Sequence, residues 1–119
     1  MQDESLDRIP LLTRNEKEGL KNIAMKLSGI ESVVRVIFFG SRRRGDFTGD
    51  SDFDILVVVR DLRHRKEIIQ VLHDIELGLE IPLSPTIYTE KEYAINRDMK
   101  SAFIKNIENE GVVLYDAHQ

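Results

Sequence analysis

Phe39-Gly40-Ser41-Arg42-Arg43-Arg44-Gly45-Asp46-Phe47-Thr48-Gly49-Asp50-Ser51-Asp52-Phe53-Asp54 joins two apolar segments and carries most of the chain's distinctive chemistry. Before it, residues 33–39 form a β-branched and aromatic run broken only by Arg35, the pattern of a largely buried strand. After it, residues 53–59 form a second run of the same kind. Asp52 and Asp54 stand two apart at the start of that second strand, so their side chains leave one face and can hold divalent cations together. Two carboxylates without a neighbouring His or Cys suit Mg2+, which takes hard oxygen ligands and completes its shell with water and phosphate; zinc fits poorly. Gly40-Ser41 stands where the first strand turns toward a short helix. A glycine there lets backbone approach a phosphate, and the serine adds a hydroxyl and an amide donor. Arg42 and Arg44 are the candidate guanidinium donors to phosphate oxygens, with Arg43 between them.

The competing reading is a polar surface turn opened by Asp50 or Ser51, with the arginines paired to aspartates. A lone Asp-x-Asp would not decide between the two. Gly-Ser, ten intervening residues and Asp-x-Asp between two buried strands favours the functional reading.

Working outward, Thr13-Arg14-Asn15-Glu16 has capping-box spacing ahead of Leu20, Ile23, Ala24 and Leu27, which predicts an amphipathic helix over about 14–28. Residues 60–79 hold a helical pattern through Ile68, Leu72, Ile75 and Leu79. Residues 80–89 read as a third strand with Ile81, Leu83 and Ile87 on one face, and Pro82 and Pro85 confine it to an edge or an irregular stretch. Thr89-Glu90-Lys91-Glu92 is a second capping box, Phe103, Ile104 and Ile107 mark a last helix, and Gly111 caps it before the strand 112–115. The order is αββαβααβ, in one domain spanning 1–119.

Hydrophobic residues make up 41% and charged residues 32% of the 119 residues, ordinary globular values. The absence of cysteine excludes disulfides, thiolate zinc sites and cysteine nucleophiles, and fits a reducing interior such as the cytoplasm. The acidic start Met1-Gln2-Asp3-Glu4-Ser5 is unlike a signal peptide, and no apolar run reaches membrane-spanning length, so no membrane is expected among the partners. A net charge of −4 argues against broad nucleic-acid binding except through a partner.

With these residues in view, the chain resembles the polymerase-β-like nucleotidyltransferase superfamily, particularly the minimal nucleotidyltransferase domains of bacteria and archaea. Phe39-Gly40-Ser41 through Asp52-Phe53-Asp54 matches the Gly-Ser-x10-Asp-x-Asp hallmark in full, Arg44-Gly45 matches an Arg-Gly often found in the loop, and Ser51 precedes the first acid. The resemblance implies an α/β (α+β) fold, a mixed sheet with helices packed mainly on one face. It also implies Ser41 near the terminal phosphates, Asp52 and Asp54 as catalytic ligands of two Mg2+ ions, and transfer of a nucleoside monophosphate, AMP from ATP, to a hydroxyl acceptor. Minimal domains of this kind are commonly paired with a small helical HEPN-type protein in toxin–antitoxin arrangements, and a second copy of the chain is the other candidate partner.

The sequence departs from the family at the third carboxylate. Ser84 stands about where that acid is expected, and Glu80 is the weak substitute earlier on the same alternating face. The alternative function is therefore a catalytically weak or inactive nucleotide-binding antitoxin. Small-molecule modification ranks last, because no acceptor-binding region is evident. Leu56 and Val58 continue the face of the two aspartates and are expected to be partly exposed, which motivates a partner. Arg60, Arg63, His64, Arg65 and Lys66 read as a solvated basic helix face, the three histidines as surface or packing residues, and only Phe47 among the aromatics as a substrate contact.

Overall fold

The computed structural model describes Leu6, Ile9, residues 12–45 and residues 52–118. Helix α1 (Arg14–Ser28) starts at the expected capping box: Thr13 Oγ1 accepts from the Glu16 amide at 3.1 Å and Glu16 Oε1 accepts from the Thr13 amide at 2.9 Å. Strand β1 (Val33–Phe39) runs into a single helical turn, α2 (Ser41–Arg44), and the chain re-enters the sheet as β2 (Phe53–Val59). Helix α3 (Arg65–Leu79) then crosses to β3 (Leu83–Thr89). Two nine-residue helices, α4 (Glu90–Asp98) and α5 (Ala102–Glu110), lead to β4 (Val112–Asp116).

The sheet order is β3-β2-β1-β4, with β1 antiparallel to both β2 and β4, and β2 parallel to β3. The parallel pair needs a crossover, which α3 supplies. Pro82 and Pro85 are tolerated because β3 is an edge strand, as the prolines require. The Leu83 amide, at the start of β3, is satisfied by Glu76 Oε2 of α3 at 2.8 Å.

Alternation along the strands sorts the apolar residues onto two faces. Val36, Phe38, Phe53, Ile55, Val57 and Val59 join α1 and α3 in the main core, with Leu6 and Ile9 added to it. Ile37, Leu56 and Val58 form a smaller cluster with Tyr93 of α4 and Ile104 and Ile107 of α5. Leu56 and Val58 were expected to be partly exposed; they are 0% and 2% exposed, because the chain's own C-terminal helices cover them. The apolar strip therefore needs no partner, and burial of such a side chain contributes ~1.5–3 kcal/mol.

The boundaries differ from expectation at two places. Residues 60–64 are a turn: Arg60 donates its amide to the Ser32 carbonyl at 2.8 Å, and Asp61 Oδ1 accepts from the Arg63 amide at 2.9 Å. Part of the basic cluster is thereby tied to the end of the sheet where Val33 faces Val59, opposite the Gly40 end. Glu80 ends α3 in a left-handed conformation, φ 54°, so strand alternation does not extend back to it. Among the described residues no helix is long and apolar enough to cross a membrane.

Candidate active site

At the end of β1 the register sets Phe39 opposite Asp54, which brings the Gly40 turn against the start of β2. Gly40 has φ 87°, a left-handed conformation natural to glycine. A Cβ there would overlap Asp54 Oδ2, so the aspartate carboxylate lies directly on the Gly40 backbone. Asp52 stands exposed just before β2, while Asp54 is partly buried and faces the same side of the sheet as Leu56 and Val58. The Phe53 amide donates to the Pro82 carbonyl at 2.9 Å, fixing the strand between the two acids.

The electrostatics follow from this crowding. Burial pushes the Asp54 carboxyl above its ordinary range, the charge of Asp52 pushes it further, and Arg44 opposes both. Two carboxylates that repel one another favour a cation between them, and their oxygens match magnesium's preference. Among the described residues no third His, Cys, Asp or Glu joins them in a metal-binding group. Two protein carboxylates suffice for Mg2+ when water and phosphate complete its shell, so the residues present fit the ion.

The raised carboxyl has a pH signature of definite sign. A folded pKa above the unfolded one makes the protonated form the stabilised one. For the metal-free protein that gain is complete below about pH 4, the ordinary aspartate value, and is lost as pH rises through the higher folded value. Magnesium held by these carboxylates would require the ionised form, so any stabilisation by Mg2+ should vanish on acidification through the same window. Melting curves recorded from pH 4 to 8 with Mg2+ or with EDTA test this; parallel curves across the window would contradict the assignment.

A family model for the nucleotidyltransferase domain matches residues 18–114. The chain belongs to that family. A protein provisionally named protein adenylyltransferase MJ0141, from Methanocaldococcus jannaschii, is 35% identical over 99 residues, covering 81% of this chain and 91% of that one. A second from the same organism, provisionally named protein adenylyltransferase MJ0604, is 31% identical over 104 residues, covering 85% and 99%. Among solved structures, a provisionally assigned nucleotidyltransferase from Sulfolobus solfataricus aligns with TM-score 0.52 at 18% identity, over 92% of this chain and 95% of that one. A toxin–antitoxin structure with AMP-PNP aligns with TM-score 0.55 at 19% identity, over 83% and 75%. At these identities the structural likeness concerns the fold alone.

Within this nucleotidyltransferase domain the structure brings Gly40, Asp52, Asp54 and Arg44 into one neighbourhood. Arg42, expected to face phosphate, is 7% exposed and lies inside instead: it donates to Glu16 Oε2 and its guanidinium stacks 4.4 Å above the Phe53 ring. Glu16 thus closes the α1 capping box with one oxygen and receives Arg42 with the other. Consecutive helical residues point about 100° apart, which sends the three arginines of α2 in three directions. Glu80 is exposed at its helix cap, whereas Ser84 is the Cα partner of Asp54 in the parallel register. Ser41 opens α2; its side chain, together with Phe47, Asp50 and Ser51, lies outside the described residues.

One contributor escaped the sequence reading. Glu110 at the end of α5 accepts Arg44 Nη1 at 2.7 Å, and its carbonyl accepts Arg43 Nε at 2.6 Å. The only signal in the sequence was the neighbouring Gly111, which marks a helix end but names no partner.

Proposed function

We propose that this nucleotidyltransferase moves AMP from ATP to a hydroxyl on a small helical partner protein of HEPN type, as one half of a toxin–antitoxin pair. The observation that carries the reading is the pair of aspartates at the mouth of β2, with the Asp54 carboxylate resting on the Gly40 turn. The provisional names of the two archaeal relatives support a protein acceptor. The toxin–antitoxin neighbour with AMP-PNP supports a nucleotide and a protein partner.

Asp52 and Asp54 would hold the Mg2+ ions. Bound magnesium would neutralise charge on the triphosphate and polarise the phosphorus under attack. The acceptor oxygen forms a bond to the α-phosphorus, the bond to the bridging oxygen breaks, and pyrophosphate leaves. The protein's own contribution is positioning and charge: Gly40 permits close approach, Ser41 offers an amide and hydroxyl, and Arg44 adds positive charge beside Asp54. The acceptor proton passes to water or to a base brought by the partner.

The decisive test is transfer of label from α-labelled ATP with Mg2+, with and without a candidate helical partner. Labelled partner protein is the expected product; tight Mg·ATP binding without transfer would instead favour a noncatalytic nucleotide-binding antitoxin. One observation favours that second reading, because a serine rather than an acid stands beside Asp54.

Ser84→Asp separates the two. Its side chain should share the face of Asp54, since parallel partners point the same way, and a third carboxylate there should raise the transfer rate on the order of 10²-fold, the scale of a positioned base. It should also lower the melting temperature without metal and widen the gap opened by Mg2+. Unchanged transfer despite that metal response would show that the missing acid is not what limits the reaction.

A further inference from the structure

We propose that Glu110 is a positioning residue for the nucleotide site, acting through Arg44 to fix where that guanidinium meets the triphosphate. The proposal rests on the assignment of Asp52 and Asp54 as the metal-nucleotide site. Glu110 is 66 residues from Arg44 in the chain, yet its Oε1 accepts Arg44 Nη1 at 2.7 Å. Its carbonyl is one of the last four of α5, which have no partner within the helix, and it accepts Arg43 Nε at 2.6 Å. One residue therefore grips two successive side chains of the turn that follows Gly40.

Glu110 can act as an anchor because its own position is fixed from behind. The next residue, Gly111, donates its amide to the Ile107 carbonyl at 2.8 Å. A Cβ at Gly111 would come 2.7 Å from Ile37 Cγ2, so the end of α5 is seated directly on the middle of β1. Ile107 and Ile104 are buried on the same side. The anchor is thus a core element, and the turn it holds is a single helical turn with little stability of its own.

Stability does not account for the contact. The Arg44 and Glu110 side chains are 40% and 28% exposed, and exposed ion pairs contribute little to stability. What the pair does achieve is orientation: a guanidinium is a planar fork of five donors, and a bond to one nitrogen sets the plane in which the others point. The Arg44 amide donates to the Gly40 carbonyl at 3.1 Å, on the turn that lies against Asp54 Oδ2, so a triphosphate held at the aspartates lies beside the turn that carries Arg44.

The test is a double-mutant cycle on the full chain, read by the Kd of ATP with Mg2+ and by the melting temperature. Glu110→Gln keeps the shape and removes the charge; it should weaken ATP roughly five- to tenfold, the scale of one charge-assisted hydrogen bond, while the melting temperature stays nearly unchanged. Arg44→Ala should weaken ATP at least as much, and adding Glu110→Gln to it should change nothing further. Independent, additive losses would overturn the proposal, as would wild-type affinity in Glu110→Gln. Should Glu110→Gln fold poorly, Glu110→Ala read against Arg44→Ala by the same cycle decides. Failure of the wild type itself to bind Mg·ATP would overturn the site assignment and the proposal with it. Binding that is lost in Asp52→Asn/Asp54→Asn but kept in Glu110→Gln would overturn the positioning role alone.

Discussion

Replacing Asp52 and Asp54 together by asparagine should abolish Mg2+-dependent ATP binding and transfer while making the metal-free protein more stable. The first effect follows from losing both carboxylates that would hold the metal. Removal of even one preorganised charge-stabilising group commonly costs about 10²–10³-fold in rate, so the double variant should fall at least that far. The second effect follows from the electrostatics: burial and the Asp52 charge both disfavour ionised Asp54, and among the described residues Arg44 opposes them. An amide of the same shape removes that repulsion. Melting curves without metal should shift upward at neutral pH, and Mg2+ should no longer move them. Retained ATP-dependent labelling in this variant would sink the site assignment. A lower melting temperature would show instead that the carboxylates serve the fold.

Gly40→Ala should be the most damaging single-methyl change near the site. Alanine at φ 87° must adopt the left-handed conformation, at a cost of ~1–2 kcal/mol. Its Cβ would also overlap Asp54 Oδ2, forcing the carboxylate or the turn to move, and overpacking of this kind costs ~1–3 kcal/mol more. Against a typical total stability of ~5–15 kcal/mol, the sum should lower the melting temperature by roughly 10 °C. Because the group displaced is the candidate metal ligand, Mg·ATP affinity should fall as well, even well below the melting temperature. A folded variant with normal ATP affinity would mean that the close approach of Gly40 to Asp54 has no bearing on the nucleotide.

Much of this architecture was legible in local pattern. Residues 33–39 and 53–59 were readable as strands because both are apolar and β-branched enough to be buried on two faces, and both strands occupy those bounds. Thr13 and Thr89 close their capping boxes because the donors and acceptors involved lie three residues apart, a distance any sequence reading can see. Pro82 and Pro85 pointed to an edge strand or an irregular stretch, because a proline lacks the amide a central strand must donate, and β3 is an edge strand. The spacing from Gly40-Ser41 to Asp52 and Asp54 likewise announced a candidate site, since two strands with a loop between them bring their near ends together.

Tertiary structure alone decided which partner each side chain met. Arg42 and Arg44 are equivalent in sequence terms, yet one is buried against Glu16 and Phe53 and the other stands between Glu110 and the field of Asp54. Leu56 and Val58 looked available to a partner until α4 and α5 were seen to cover them. Glu80 looked like part of a strand until its left-handed cap was seen to end a helix. Periodicity and capping report on neighbours within about one helical turn or one strand repeat, so they determined the elements and the candidate carboxylate pair. Glu16 and Glu110 lie 26 and 66 residues from Arg42 and Arg44, and only packing of α1 and α5 onto the sheet could bring them to these arginines.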